Sequence, residues 1–209
     1  MKTLTRLLAA FLLSLAWLSP ANAAVTITFW SHELGKSFPH AFFTLRGVPD
    51  AGGAPVDLTY GFTPTAISPA MLFGNVKGKL DIAKPGYIRS SDAQFSMVIT
   101  DAQFADIMAL VHEWGEVDTT YNMNHRNCVS FTQEAARLLG LPNVDFPKLI
   151  KKPRSFMKAV AAANPGRVTI VDEHGDAYLA SLPPLAATSI SVRFNPITTP
   201  PPVPAAVNY

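Results

Sequence analysis

The stretch Tyr121-Asn-Met-Asn-His-Arg-Asn-Cys128-Val-Ser-Phe-Thr-Gln-Glu-Ala-Ala-Arg-Leu-Leu-Gly140 holds the only cysteine of the chain, where a polar loop turns into an amphipathic helix. Val129, Ala136 and Leu139 fall near one predicted face, with Phe131, Ala135 and Leu138 beside it. Gln133, Glu134 and Arg137 take polar positions, and Gly140 is a natural stop. A thiol in the first turn of a helix meets unpaired backbone N–H groups and the positive end of the helix dipole. Both favour the thiolate, which is the reactive form. The alternative reading of the same position is a small buried hydrophobe.

The 209-residue chain opens with a short basic segment (Lys2, Arg6) and an apolar run from Leu7 to Leu18. Ser19 and Pro20 break the run, and Ala21-Asn22-Ala23 has the small-x-small form of a cleavage site. Residues 1–23 therefore read as a signal peptide cleaved after Ala23. The run is too short for a comfortable membrane span, and no later segment is apolar enough for one. The expected location is periplasmic or secreted, with no membrane span. Loss of Lys2 and Arg6 brings the 17 basic residues level with the 15 acidic ones, which leaves no net charge. Such a balance gives no basic excess for nucleic acid or an anionic surface. A single cysteine cannot close an intrachain disulfide, and an exported unpaired thiol is a liability unless it is buried or useful.

Upstream of the cysteine the chain reads mostly as strands. Val25 to Ser31 is β-branched and aromatic, and Ala41 to Arg46 begins immediately after His40. Val56 to Phe62 completes a hairpin across a turn with Pro49, Asp50, Gly52 and Gly53. A further strand is predicted over Val76 to Ile82, with a break at Pro85-Gly86, and another over Gln94 to Ile99. Thr100 or Asp101 then caps a helix to about Trp114, burying Phe104, Ile107, Met108 and Val111. Beyond Gly140, a helix is predicted from Pro153 to about Ala163, and Arg167 to Asp172 and Ala177 to Leu182 flank a hairpin signal. Ser189 to Phe194 reads as a last strand, followed by a Pro-rich disordered tail over 195–209. Strands, then helices, then a hairpin indicate an α+β domain over residues 24–194.

A cysteine nucleophile needs a base within hydrogen-bond reach and a group to orient that base. His40 heads an apolar strand, so its side chain stands at a sheet end and can face a helix N-terminus. His32 and His125 are the other histidines open to this role. His112 reads as a helix-surface residue and His174 as a solvated turn residue. No metal site is expected: His112-Glu113-Trp-Gly-Glu116 lacks the second histidine of a helical zinc motif. There is no Gly-x-Ser-x-Gly elbow and no Gly-rich phosphate loop, and no cofactor is called for.

Three segments in order carry a resemblance: His40-Ala-Phe-Phe-Thr-Leu-Arg-Gly47, Leu58-Thr-Tyr-Gly-Phe62 and Tyr121-Asn-Met-Asn-His-Arg-Asn-Cys-Val-Ser-Phe131. Together they are similar to the circularly permuted papain-like cysteine hydrolases, a group with NlpC-like, LRAT-like and PPPDE-like members. The likeness covers roughly residues 25–141, leaving 142–194 as an extension. It implies an antiparallel sheet packed against helices, with the catalytic cysteine at a helix N-terminus. Carried over residue by residue, it implies Cys128 as nucleophile and His40 as general base. The orienting position stays open between Thr59 and Tyr60, with Asp57 at the start of the same strand. The backbone N–H of Cys128 is the implied oxyanion donor. Phe38, Tyr60 and Asn127 are the expected substrate contacts.

The expected function is cleavage of amide bonds through a Cys-His dyad and an acyl-enzyme, with a peptide or acyl substrate. Peptidoglycan peptides are favoured by compartment alone. One alternative is an acyltransferase or lipid-acyl hydrolase on the same fold. Another is a non-catalytic binding module with a buried Cys128.

Overall fold

The computed structural model describes residues 24–33 and 38–185. The expected signal peptide, the strand over Ser189 to Phe194 and the Pro-rich tail lie outside the described residues. The strands are β1 (Val25–His32), β2 (His40–Gly47), β3 (Val56–Pro64), β4 (Val76–Asp81), β5 (Asp92–Ile99), β6 (Thr120–Tyr121) and β7 (Thr169–His174). The α-helices are α1 (Pro85–Arg89), α2 (Asp101–His112), α3 (Cys128–Leu138), α4 (Pro153–Ala163) and α5 (Gly175–Ser181). The chain is thus α+β. The strands form one antiparallel sheet in the spatial order β6-β4-β3-β2-β1-β5-β7.

Alternation along the strands divides the core in two. Ile27, Phe29, Phe43 and Leu45 face the larger cluster, which Val129, Phe131 and Ala135 of α3 and Phe156, Met157 and Val160 of α4 complete. Phe43 stacks on Phe131 with ring centroids 5.4 Å apart. Trp30 and Phe42 point the other way, into a smaller cluster with Ala83, Ala93 and Tyr178. The Tyr178 hydroxyl shares a 3.0 Å hydrogen bond with Thr28 Oγ1, so the polar end of that ring is satisfied.

Helix boundaries follow local chemistry. Thr100 is the cap of α2, in a reciprocal capping box with Gln103. The helix then widens into a π-helical turn, Glu113–Val117, that buries Trp114. Gly140 takes a φ of 80° just past α3, a backbone that residues with a Cβ rarely adopt. Leu138 differs from its expected place on the buried side of α3: it is 39% exposed, and Val129, Phe131, Ala135 and Ala136 carry the packing.

Two expectations downstream of the strands are corrected. Pro85-Gly86 is not a break but the start of α1, with proline at the first helical position where its missing N–H costs nothing. The predicted hairpin around Glu-His-Gly-Asp is instead a strand followed by a helix. The Gly175 N–H donates to the Ser91 carbonyl at 2.7 Å, which pulls the chain inward against α1. A Cβ at Gly175 would lie 2.2 Å from the Ile88 carbonyl oxygen, so only glycine fits there. The residues after it, Asp-Ala-Tyr-Leu-Ala-Ser, then wind as α5, which lays Tyr178 on Trp30 at 5.5 Å.

Among the described residues no helix is long and apolar enough to cross a membrane.

Candidate active site

The segment leading to Cys128 is pinned, although it reads as a loose loop in sequence. Residues 120–121 pair with β4, and Asn122 bridges to Arg126. The Arg126 guanidinium lies 3.7 Å over the Trp114 ring and donates to the carbonyls of Thr120 and Asp118. Asn127 then caps α3. Its Oδ1 accepts from the N–H groups of Val129 (2.8 Å) and Ser130 (3.1 Å), and its Nδ2 donates to the carbonyls of Met123 (2.8 Å) and Ile150 (3.0 Å). The carboxamide has two donor hydrogens and two acceptor sites here, and all are used. Asn127 borders the cavity described below, where a substrate contact is expected, and its side-chain hydrogen bonds hold the scaffold of the helix start.

Cys128 is the first residue of α3 and is 9% exposed. Its thiol lies beside the His40 imidazole, close enough for that ring to act on its ionisation. His40 is the first residue of β2, so its ring stands at the mouth of the strand where the helix start arrives. Burial pushes the Cys128 thiol up. The His40 imidazole, with smaller help from nearby backbone N–H groups, outweighs that, and the net shift is downward, toward the thiolate.

The carboxylate that faces His40 is Asp81, at the end of β4, which sequence reasoning does not single out. Its Oδ2 lies 3.4 Å from His40 Nε2. That is longer than a tight charge-assisted hydrogen bond, and Nε2 has no partner of ideal geometry among the described residues. Burial pushes the His40 pKa down, but Asp81 and then Cys128 override it and raise it to about 9. The Asp81 carboxyl is held below its ordinary value, first by its bond to His40.

The register of the sheet explains why Asp81, and neither Thr59 nor Tyr60, holds this place. Phe42 pairs with Gly61, and Gly61 pairs with Asp81, so the three side-chain positions share one face next to His40. Thr59 pairs with Thr44 and Tyr60 with Phe43, further along β2 from His40. The Tyr60 ring packs on Phe43 at 6.1 Å on the α3 side. Both expectations for Tyr60, as orienting residue and as substrate contact, are corrected on that ground, as is the one for Thr59. Asp57 is engaged with Arg46 at the opposite end of the strands, 3.1 Å away.

Gly61 makes room for the imidazole. A Cβ at this position would sit 2.4 Å from His40 Nε2 and 3.0 Å from Cε1. Phe42 and Tyr87 wall the ring, with centroids at 6.0 Å and 6.4 Å. Among the other histidines, His32 stacks on Tyr87 at 4.4 Å and contacts Ser91 Oγ at 3.1 Å through Nδ1. Burial and then the charge of His40 lower its pKa. His125 is exposed in the loop, and His112 pairs with Glu116 on the surface. Among the described residues no three His, Cys, Asp or Glu side chains converge to hold a metal.

Cys128, His40 and Asp81 border a cavity of about 570 Å³. Phe38, Phe62, Ile67, Met71, Ile82 and Tyr87 supply much of its apolar wall. Phe38 is therefore placed where a substrate contact is expected. Among the described residues Asp81 is the sole carboxylate of the wall, while Lys84 and Lys151 stand at its edge. Tyr121 also borders it, and burial, then the Cys128 thiolate, push its phenol pKa up, which keeps it neutral. No family model, no curated protein and no solved structure matches the chain.

Proposed function

We propose that this chain is an exported cysteine hydrolase of permuted papain-like type, opening an amide or related acyl bond through Cys128, His40 and Asp81. The observation that carries the reading is the contiguity of the three groups at one end of a cavity. A thiol alone at a helix start has a bland explanation. A thiol paired with an imidazole that faces a carboxylate has the parts of nucleophile, base and orienting group.

In the resting site the proton resides on His40 and Cys128 is the thiolate. The sulfur attacks the substrate carbonyl carbon, a C–S bond forms, and the carbonyl electron pair moves onto oxygen. The Asn127 side chain takes the N–H groups of Val129 and Ser130, and the N–H of Cys128 is the proposed donor to that oxyanion. As the intermediate collapses, the imidazolium gives its proton to the leaving nitrogen or oxygen and that bond breaks. Neutral His40 then takes a proton from water, the hydroxyl attacks the thioester, and the acid leaves with the thiolate restored. Asp81 holds the ring and stabilises its charged form throughout.

The cavity favours one choice among acyl groups. Its wall is largely apolar, and its carboxylate is committed to His40, so an aliphatic acyl chain fits it better than a charged wall peptide. This supports the lipid-acyl hydrolase or acyltransferase reading over the peptidase one.

The test is incubation with short-chain acyl thioesters and with peptide amides, read by intact-protein mass and product release. The expected result is an acyl adduct on Cys128, turnover reduced about 10³-fold or more in Cys128→Ala, and iodoacetamide labelling near neutral pH. A native thiol inert to iodoacetamide, with activity retained in Cys128→Ala, would point instead to a binding module.

A further inference from the structure

The connection between β3 and β4 has a composition at odds with its exposure. Residues 65–75, Thr-Ala-Ile-Ser-Pro-Ala-Met-Leu-Phe-Gly-Asn, contain no charged side chain. Ile67 is 67%, Leu72 57% and Phe73 87% exposed. A single 3₁₀ turn over Pro69–Leu72, with proline at its start, holds Leu72 at the surface, while Met71 of the same turn is buried beneath them. Loops of this length on an exported protein are ordinarily polar, and clustered exposed apolar side chains mark an interaction surface.

The patch is continuous with the cavity mouth. Ile67 and Met71 line the cavity, as do Phe38 and Ile82, both also exposed. Lysines ring it. Lys77 and Lys79 are exposed on β4 directly after the loop, and Lys84 and Lys151 stand at the edge of the cavity. Within the cavity wall the carboxylate, Asp81, is already paired with His40. Apolar tips flanked by cationic stems match the two layers of an anionic bilayer surface: the tips enter the acyl boundary and the ammonium groups meet the phosphates. A second copy of the chain is a poorer occupant, since two-fold pairing of this face would set lysines against lysines.

We propose that the 65–75 loop, with Phe38 and Ile82, is a docking lip that seats the cavity mouth on an anionic phospholipid membrane. The proposal deepens the acyl reading above, because a cavity opening at the lipid surface receives an acyl chain without passing it through water. Docking itself needs nothing from Cys128.

Flotation of the whole protein with phosphatidylglycerol vesicles and with phosphatidylcholine vesicles tests it. The expected result is binding to phosphatidylglycerol that weakens as salt is raised and falls about tenfold or more in the double variant Leu72→Ser, Phe73→Ser. Neither residue lines the cavity, so labelling of Cys128 and turnover of a soluble short-chain thioester stay at the wild-type level in that variant and show that it is folded. Cys128→Ala retains vesicle binding. Equal binding to both vesicles, no binding, or binding unchanged in the double variant overturns the proposal, as does salt-insensitive self-association that the double variant abolishes. Thiol chemistry without vesicle binding sinks the docking alone, and vesicle binding without thiol chemistry sinks the catalytic reading alone.

Discussion

His40 lies among three neighbours that act on it differently. Asp81 favours its charged form most, Cys128 favours it too, and Gly61 leaves the space that its ring occupies. Gly61→Ala places a methyl group where the imidazole now stands. Because Gly61 has an ordinary strand backbone, the strain falls on the ring and not on the chain. The expected outcome is loss of about a hundredfold in kcat/KM with a circular dichroism spectrum like the wild type. Unchanged kinetics would show that the ring does not need its present place. Asp81→Asn has a different signature. The His40 pKa is raised to about 9, so the imidazolium persists up to that pH and the alkaline limb of the activity profile falls there. The Cys128 pKa is lowered, so the acid limb lies below the ordinary thiol value of 9.0. Removing the carboxylate takes away the larger of the two influences that raise His40, so the alkaline limb moves to lower pH and the window narrows. The rate at its maximum is expected to drop roughly tenfold to a hundredfold. An unshifted alkaline limb in Asp81→Asn would remove Asp81 from the site. Cys128 and His40 were legible in sequence because each is marked locally, one by a helix start and the other by a strand start. Asp81 was not. Its relation to His40 passes through two registered strand pairs and an 11-residue uncharged connection over 65–75 that hides the register of β4.

At the level of elements, α3 shows how a helix start is held still enough to present a thiol. The Asn127 carboxamide joins four backbone groups from three segments: the helix, the 120–126 loop and the turn before α4. Asn127→Ala loses the cap, about 1 kcal/mol, and leaves the Met123 and Ile150 carbonyls short of a donor, about 1–3 kcal/mol. A fall in Tm of roughly 5–10 °C is expected, together with slower labelling of Cys128 as the helix start frays. Asn127→Asp keeps the two acceptor bonds and loses the two donors, so it should fall between the alanine variant and the wild type. Equal melting of all three proteins would refute the scaffolding role. Helix α3 was legible because cap, apolar face and stop all agree in one stretch. Helix α5 was not, since Gly175 reads as a turn residue until the close approach of the Ile88 carbonyl shows why a glycine stands there.

Across the whole molecule, one sheet serves two cores, and β1 shows the consequence most directly. Phe29 and Trp30 are neighbours on one strand and are both fully buried, yet they belong to opposite clusters. Trp114 lies in the larger cluster, against Phe62 at 4.9 Å and Phe131 at 5.2 Å. Trp30 lies in the smaller one, against Phe42 at 5.9 Å and under Tyr178. In the chain from Ala24 onward these are the two tryptophans, so each reports on one side of the sheet. Residues 142–185 are part of the same structure: α4 packs in the larger core, β7 extends the sheet past β5, and α5 closes the smaller core. Opening either side strips one face of β1, β2 and β5, and a sheet that exposes a face of Phe, Trp and Ile residues has no stability of its own. The two clusters should therefore unfold together. In Trp30→Phe and in Trp114→Phe, the denaturant midpoint from the remaining tryptophan should coincide with that from far-ultraviolet circular dichroism of the same variant. A Trp30 signal lost ahead of the circular dichroism signal in Trp114→Phe would mean that the α1 and α5 side opens separately. The environment of His40, walled by Phe42 and Tyr87 on that side, would then be the part of the site that can move.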